Sequence, residues 1–268
     1  MYSDPNSVKR ISSLGAGPIG GGWTAHFLAR GYDVTAYLHD KSETNSFMSI
    51  LKTAWVSLAE LGLAPSASMD RLRIVTDLEE ALDGADFVQE SGPERIEVKQ
   101  KLYSEMGKIL PPSIIIGSST SGLMMSDIQS DCSTPERTVI GHPFNPPYLL
   151  PLVEIVGGKR TAPEAVSWAG EFYKAAGKAP LMMKKEIPGF VATRLQEALW
   201  REALHMVANG EATPEDIDNA LMNGPAPRMA AQGAMHGFSC SMWRRRNGHK
   251  FRSVWASTQT TLDKTRSS

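Results

Sequence analysis

This sequence is poor in several things, and each shortage excludes something. Two cysteines in 268 residues, Cys132 and Cys240, make neither a disulfide framework nor a metal-ligand spacing. Such usage suits a reducing compartment, and a cytoplasmic location is the simplest expectation. No charge-free apolar run approaches the roughly twenty residues of a membrane-spanning helix. The polar start from Met1 to Arg10 lacks the apolar core of a secretion signal. Net charge is also scarce, at −1, but it conceals an asymmetry. Residues 225–268 hold eight Lys or Arg and one acid, leaving 20 basic against 28 acidic side chains in the preceding 224 residues. What is present is ordinary: 41% hydrophobic and 21% charged residues predict a soluble globular chain of one large domain or two small ones.

The first two-thirds alternates short β-like runs with helical stretches. Strands are expected at Val8 to Leu14, Asp33 to Leu38, Arg71 to Thr76, Ala85 to Gln89 and Ser113 to Gly117. The last contains three consecutive isoleucines and reads as buried on both faces. Between them lie helical patterns at Ile19 to Arg30, Lys41 to Leu61 and Pro93 to Leu110. This rhythm predicts an α/β fold, a mostly parallel sheet covered by helices. A helix from Pro163 to Ala176 and a strand from Ala179 to Met183 follow, then a break at Ile187-Pro188-Gly189. Beyond it only helices are expected, at Phe190 to Val207 and Thr213 to Met222, the second opened by an N-capping Thr213 and Pro214. The expected organisation is a nucleotide-binding domain at 1–187, the start of a smaller all-α domain at 188–224, and an atypical basic tail at 225–268. The tail is rich in Arg and Ser and has no sustained apolar period, which predicts poor order.

Two features carry chemistry. Gly15-Ala16-Gly17-Pro18-Ile19-Gly20 fits G-x-G-x-x-G between a strand and a helix. Such glycines permit a tight turn, a close approach of a pyrophosphate and close helix–strand packing, with the phosphates at the helix N-terminus. An acid at the end of the second strand would bind the adenosine ribose, but that position holds Leu38. Asp40, two residues on, is the candidate substitute. The absence of an arginine there favours NAD over NADP. Glu90, Glu94 and Lys99 follow the fourth strand, where a nicotinamide ribose would lie, whereas Glu97 and Lys101 read as a solvated helix face.

The second feature is Gly141 to Glu154. Folded back about Tyr148 as two short strands, Thr138 to Pro143 and Leu150 to Val156, it brings His142 level with Glu154, with Cβ atoms about 5 Å apart. An imidazole held by a carboxylate is a proton-transfer device, because the carboxylate fixes the tautomer and stabilises the imidazolium. Beside a dinucleotide loop, that pairing predicts oxidation of an alcohol by hydride transfer. Ser118-Ser119-Thr120-Ser121-Gly122 places short hydroxyls after the isoleucine strand, either to hold a substrate oxygen or to cap the next helix.

In this order the glycine loop, Ser-Ser-Thr-Ser-Gly, His-Pro-Phe-Asn-Pro, Leu-Val-Glu and Pro188-Gly189-Phe190 resemble the 3-hydroxyacyl-CoA dehydrogenase family, from about Val8 to Asn223. Gln89-Glu90-Ser91, Tyr148 to Glu154 and Glu197 to His205 are similar to the branch that oxidises L-carnitine. The resemblance implies His142 as general base, Glu154 as its partner, Ser121 on the reacting oxygen, and Glu94 and Lys99 near NAD. It implies a homodimer and a small 3-hydroxy acid as substrate, either carnitine or a short hydroxyacyl-CoA or sugar acid. Phe144, Tyr148, Trp200 and Glu197 are candidates for a quaternary ammonium. Where the family has a substrate-binding asparagine, this chain has Thr193. From Pro225 the family pattern is lost, as a shifted reading frame would produce. The Arg244-Arg245-Arg246 run reads as a solvated tail, with no nucleic-acid partner expected.

Overall fold

The fold is that of a computed structural model, which describes residues 2–235. Eight strands form one sheet: β1 (Arg10–Leu14), β2 (Asp33–Tyr37), β3 (Leu72–Val75), β4 (Phe87–Glu90), β5 (Ile115–Ser118), β6 (Thr138–Pro143), β7 (Leu152–Gly157) and β8 (Ala179–Met182). Their order is β3-β2-β1-β4-β5-β6-β7-β8. β1 to β6 run parallel, β7 is antiparallel to β6, and β8 is parallel to β7. This is the Rossmann-type α/β arrangement. Its order reverses between β1 and β4, and ligands bind at the carboxyl ends of the strands at such a point.

Helices cover both faces, and each face has its own apolar layer. α1 (Pro18–Ala29), α2 (Thr44–Leu61) and α6 (Pro163–Ala175) pack Trp23, Phe27, Phe47, Leu51, Trp168 and Phe172 on one side. α4 (Ile96–Ile109) and the short α5 (Met125–Ile128) pack Tyr103, Met106, Met125 and Ile128 on the other, against Leu14, Ile116 and Ile140. Burying one such large side chain contributes roughly 1.5–3 kcal/mol. α1 is buried all round from Gly20 to Ala29, which rigidly fixes the helix that follows the glycine loop.

A second group of helices follows: α7 (Ala192–Ala208), α8 (Pro214–Asn223) and α9 (Pro225–Gln232), numbered after α3 (Leu78–Leu82) and its successors in the sheet domain. Residues 1–195 form one compact unit, and a second starts at Gln196. Thr213 caps α8 as its sequence predicts: its hydroxyl accepts the Asp216 N–H, and the Asp216 carboxylate accepts the Thr213 N–H. Leu199, Trp200 and Leu204 of α7 and Met222 of α8 are exposed among the described residues.

One expectation needs correction here. Poor order was expected from Pro225, yet Pro225–Gln232 is helical. Proline suits the first helical turn, and Ala, Met, Arg and Gln are good helix formers. Eight residues are too few for a period to show. Residues 236–268, including the arginine run and Cys240, lie outside the described residues. No helix among those described is long and apolar enough to cross a membrane.

Candidate active site

The glycine loop joins β1 to α1 at the switch point. Gly15 has φ +124°, and a side chain there would strike the carbonyl of Ser91. A Cβ on Gly20 would strike the carbonyl of Gly15. Both positions therefore need glycine for the fold itself. Gly17 differs, because a Cβ there meets nothing within 4 Å. The space over Gly17 is where a pyrophosphate must approach. Pro18 at the first helical position has no N–H, so the free donors of this turn are those of Ile19 and Gly20.

A crevice of about 750 Å³ opens beside the loop. Leu14, Gly15, Ala16, Gly17, Pro18 and Ile19 form its floor. Tyr37, the last residue of β2, lines it with His39 and Glu43 beyond that strand, and Ser91, Gly92 and Pro93 line it beyond β4. Lys101 also borders it from a solvent-exposed helix face, in keeping with its reading as a solvated residue. The open space at Gly17 and the free N–H groups at the start of α1 fit a dinucleotide.

Of the expected cofactor residues, Asp40, Glu94 and Lys99 are not among those that line this crevice. Leu38 is fully buried in the core, so the usual acid position is structural here. Asp40 does not line the crevice. Its carboxylate accepts the Ser42 N–H at 2.7 Å and caps a 3-10 turn. Glu43 and Glu105, which the sequence did not single out, are the acids that line the crevice, and the Glu43 carboxylate also accepts the Asp40 N–H at 3.2 Å. Lys99 is 1% exposed and donates to Glu90 Oε1 at 2.7 Å beneath the loop. Glu94 Oε1 accepts from the Thr120 hydroxyl and from the N–H groups of Ser121, at 3.0 Å, and Gly122, at 3.2 Å. Burial raises the Glu94 pKa, but the bond from Thr120, the Lys99 ammonium and the two N–H groups outweigh it, and the net shift is downward. Glu94 thus fixes the loop that carries Ser121, whose side chain is exposed.

His142 and Glu154 are a register pair of the β6–β7 ladder. Nδ1 of His142 lies 2.9 Å from Oε2 of Glu154. Glu154 is fully buried and His142 is 7% exposed. The other carboxylate oxygen, Oε1, accepts the N–H groups of Val191 at 2.9 Å and Ala192 at 2.8 Å. Burial raises the Glu154 pKa, but the bonds from His142, Ala192 and Val191 together lower it. A carboxylate only accepts, so Nδ1 is the nitrogen that donates to Glu154, which leaves Nε2 as the one free to exchange a proton. Phe144 and Phe190 flank the imidazole, with ring centroids at 5.7 and 5.3 Å.

The loop after His142 is clamped from behind. Gly22 in α1 admits the Pro147 ring, 2.8 Å from where a Cβ would lie. The buried Lys178 donates to the carbonyls of Pro147 and Leu150 and sits 5.1 Å from the centre of the Trp23 ring. Thr193 stands in the first turn of α7, next to Ala192. Its hydroxyl makes no hydrogen bond among the described residues.

Comparison with known proteins agrees with this geometry. The NAD-binding domain of 3-hydroxyacyl-CoA dehydrogenase matches residues 10–187. The C-terminal domain of that family matches residues 189–240, so the likeness runs past Pro225, where the composition changes. The L-carnitine dehydrogenase of Streptomyces coelicolor is 52% identical over 237 residues, covering 88% of this chain and 74% of its own. That of Pseudomonas putida is 49% identical over 226 residues, covering 84% and 70%. Among solved structures, 5-formyl-3-hydroxy-2-methylpyridine 4-carboxylic acid 5-dehydrogenase, an NAD-dependent dismutase, superposes with TM-score 0.83 at 31% identity, covering 96% of this chain and 81% of that one. The 3-hydroxybutyryl-CoA dehydrogenase of Escherichia coli gives 0.73 at 30% identity, covering 81% and 47%. Sheet order, glycine loop and matched domains agree, and the chain belongs to the 3-hydroxyacyl-CoA dehydrogenase family of NAD-dependent enzymes.

Proposed function

We propose that this chain oxidises the 3-hydroxyl of L-carnitine to the ketone of 3-dehydrocarnitine, with His142 as general base and Glu154 as its partner. The observation that carries the chemistry is the buried 2.9 Å contact between His142 Nδ1 and Glu154. The substrate rests on the 52% and 49% identity to L-carnitine dehydrogenases, each covered over at least 70% of its length.

In this reading the substrate hydroxyl faces Nε2 of His142. Its proton passes to Nε2 while the hydrogen on C3 departs as hydride and the C–O bond becomes a carbonyl. Bound NAD supplies the acceptor for that hydride. Glu154 stabilises the imidazolium through Nδ1–H, and its own charge is held by Val191 and Ala192. Ser121 donates to the reacting oxygen, on a loop that Glu94 holds in place, and Thr193 is a second contact. The half-buried Phe144 next to His142 supports a role in receiving the quaternary ammonium. The meeting of the two matched domains at 187 and 189 supports a boundary at Pro188.

The test is NADH formation with carnitine, gulonate and 3-hydroxybutyryl-CoA. The highest kcat/KM for carnitine is expected. Preference for either of the others would replace the substrate, and no reduction with any would sink the reading.

A further inference from the structure

A row of hydrogen bonds, buried at its inner end and partly buried beyond, leads to the crevice. The Tyr173 hydroxyl donates to Gln89 Oε1 at 2.6 Å. Gln89 Nε2 donates to Ser119 Oγ at 2.9 Å, and Trp23 Nε1 donates to the same oxygen at 3.2 Å. Ser119 Oγ meets Ser91 Oγ at 2.8 Å.

The direction of each bond can be deduced. The indole N–H of Trp23 can only donate. The amide of Gln89 is oriented by distance: 2.6 Å is the length of a hydroxyl-to-carbonyl bond, and 2.9 Å that of N–H to oxygen. With the amide reversed, the wholly buried Tyr173 hydroxyl would lose its acceptor. Ser119 therefore receives two bonds, which fill both lone pairs, and its one hydrogen goes to Ser91. Ser91 is thus an acceptor within the protein, and its own O–H has no acceptor among the described residues. Its residue lines the crevice, and its carbonyl abuts Gly15.

We infer that Ser91 is a cofactor-binding residue, a preset hydroxyl donor to an oxygen of NAD beyond its adenosine half. The strand order sets that half. The adenosine ribose lies at the end of β2 and the pyrophosphate at the β1 loop, so the end of β4, on the other side of β1, faces the nicotinamide portion. The inference rests on NAD binding alone and not on the identity of the alcohol substrate. It makes Tyr173, Gln89 and Ser119 positioning residues.

The experiment measures affinity, without turnover. Binding of NADH and of AMP to the full chain is titrated calorimetrically for wild type and Ser91→Ala. Loss of one neutral hydrogen bond is expected to weaken NADH by about three- to tenfold, with AMP unchanged. Unchanged NADH affinity, or an equal loss for AMP, overturns the assignment. A carnitine-inactive chain would still give a clear answer.

Discussion

Glu154 touches His142 with one carboxylate oxygen and holds the start of α7 with the other. The residue that would orient the base therefore also closes the first turn of the helix leading into the C-terminal part of the chain. These demands are compatible only for a carboxylate, which can accept on both oxygens. Glu154→Gln places an NH2 group against either Nδ1–H or the two backbone N–H groups. We expect kcat to fall by about 10²–10⁴-fold and the protein to lose about 1–3 kcal/mol from the unsatisfied buried donors. His142→Gln should remove turnover to a similar degree while leaving NADH affinity within about twofold of wild type. Kinetics paired with NADH titration separate the two. Equal loss of binding and turnover in His142→Gln would refute its role as a base.

The glycine loop offers a sharper test of where the pyrophosphate lies. Gly17→Ala adds a methyl to open space, while Gly20→Ala drives one into the Gly15 carbonyl. The first should melt within about a degree of wild type, because surface changes without a packing cost stay within about 0.5 kcal/mol, yet bind NADH at least tenfold more weakly. The second should lose stability and binding together. Wild-type NADH affinity in Gly17→Ala would move the pyrophosphate elsewhere.

The Pro188-Gly189-Phe190 turn aims the N–H groups of Val191 and Ala192 at Glu154. It does so with two successive left-handed residues, Gly189 at φ +70° and Phe190 at φ +48°. A phenylalanine in that region costs of order 1–3 kcal/mol, and full burial of its ring against His142 offsets it. Phe190→Ala should cost about 3–5 kcal/mol from the cavity, and Phe190→Leu less. In the leucine variant, kcat should fall while KM for NAD stays constant, because the ring flanks the imidazole and does not line the crevice. A folded Phe190→Leu enzyme with wild-type kcat would reduce the residue to packing alone.

Much of this was legible in the sequence, for reasons that also explain what was not. The strands announced themselves because a parallel sheet buries continuous apolar runs, as at Ile114 to Ile116. The His142–Glu154 pairing was readable because a proline-rich turn between two short strands fixes an antiparallel register. Long-range polar contacts left no local trace. Glu94 looks like any acid at a helix start, yet its acceptors' donors lie 26 to 28 residues away in the β5 loop. Left-handed backbone is expected at glycine, so Phe190 carried no signal. Asp40 and Glu43 are both acids near the end of β2 and cap the same 3-10 turn reciprocally, and only that turn decides that Glu43, and not Asp40, is among the residues lining the crevice. α9 was missed because helix propensity over eight residues is weaker evidence than a basic composition.

Acid stability supplies a last test, through a residue outside the active site. His26 is buried on α1, and its Nε2 lies 2.8 Å from the Ala176 carbonyl. Burial, with help from the Lys178 and Arg30 charges, pushes its pKa down to about 3. In the unfolded chain it titrates near 6.5. Between those values the unfolded state binds a proton that the folded state refuses, so stability is full above pH 6.5 and drains away as the pH falls. From pH 7 to 5 the loss from this one group is about 2 kcal/mol. Below about pH 4.5 the lowered carboxyls of Glu154 and Glu94 add to it, so the upper window isolates His26. Urea unfolding at pH 7 and pH 5 should show that decline in wild type. In His26→Gln, whose amide can still donate to Ala176, the decline should shrink by about 2 kcal/mol, even though the variant is less stable at pH 7. An identical pH slope in the two proteins would mean that His26 stays neutral over this range in the unfolded chain as well, or that it is protonated in both states.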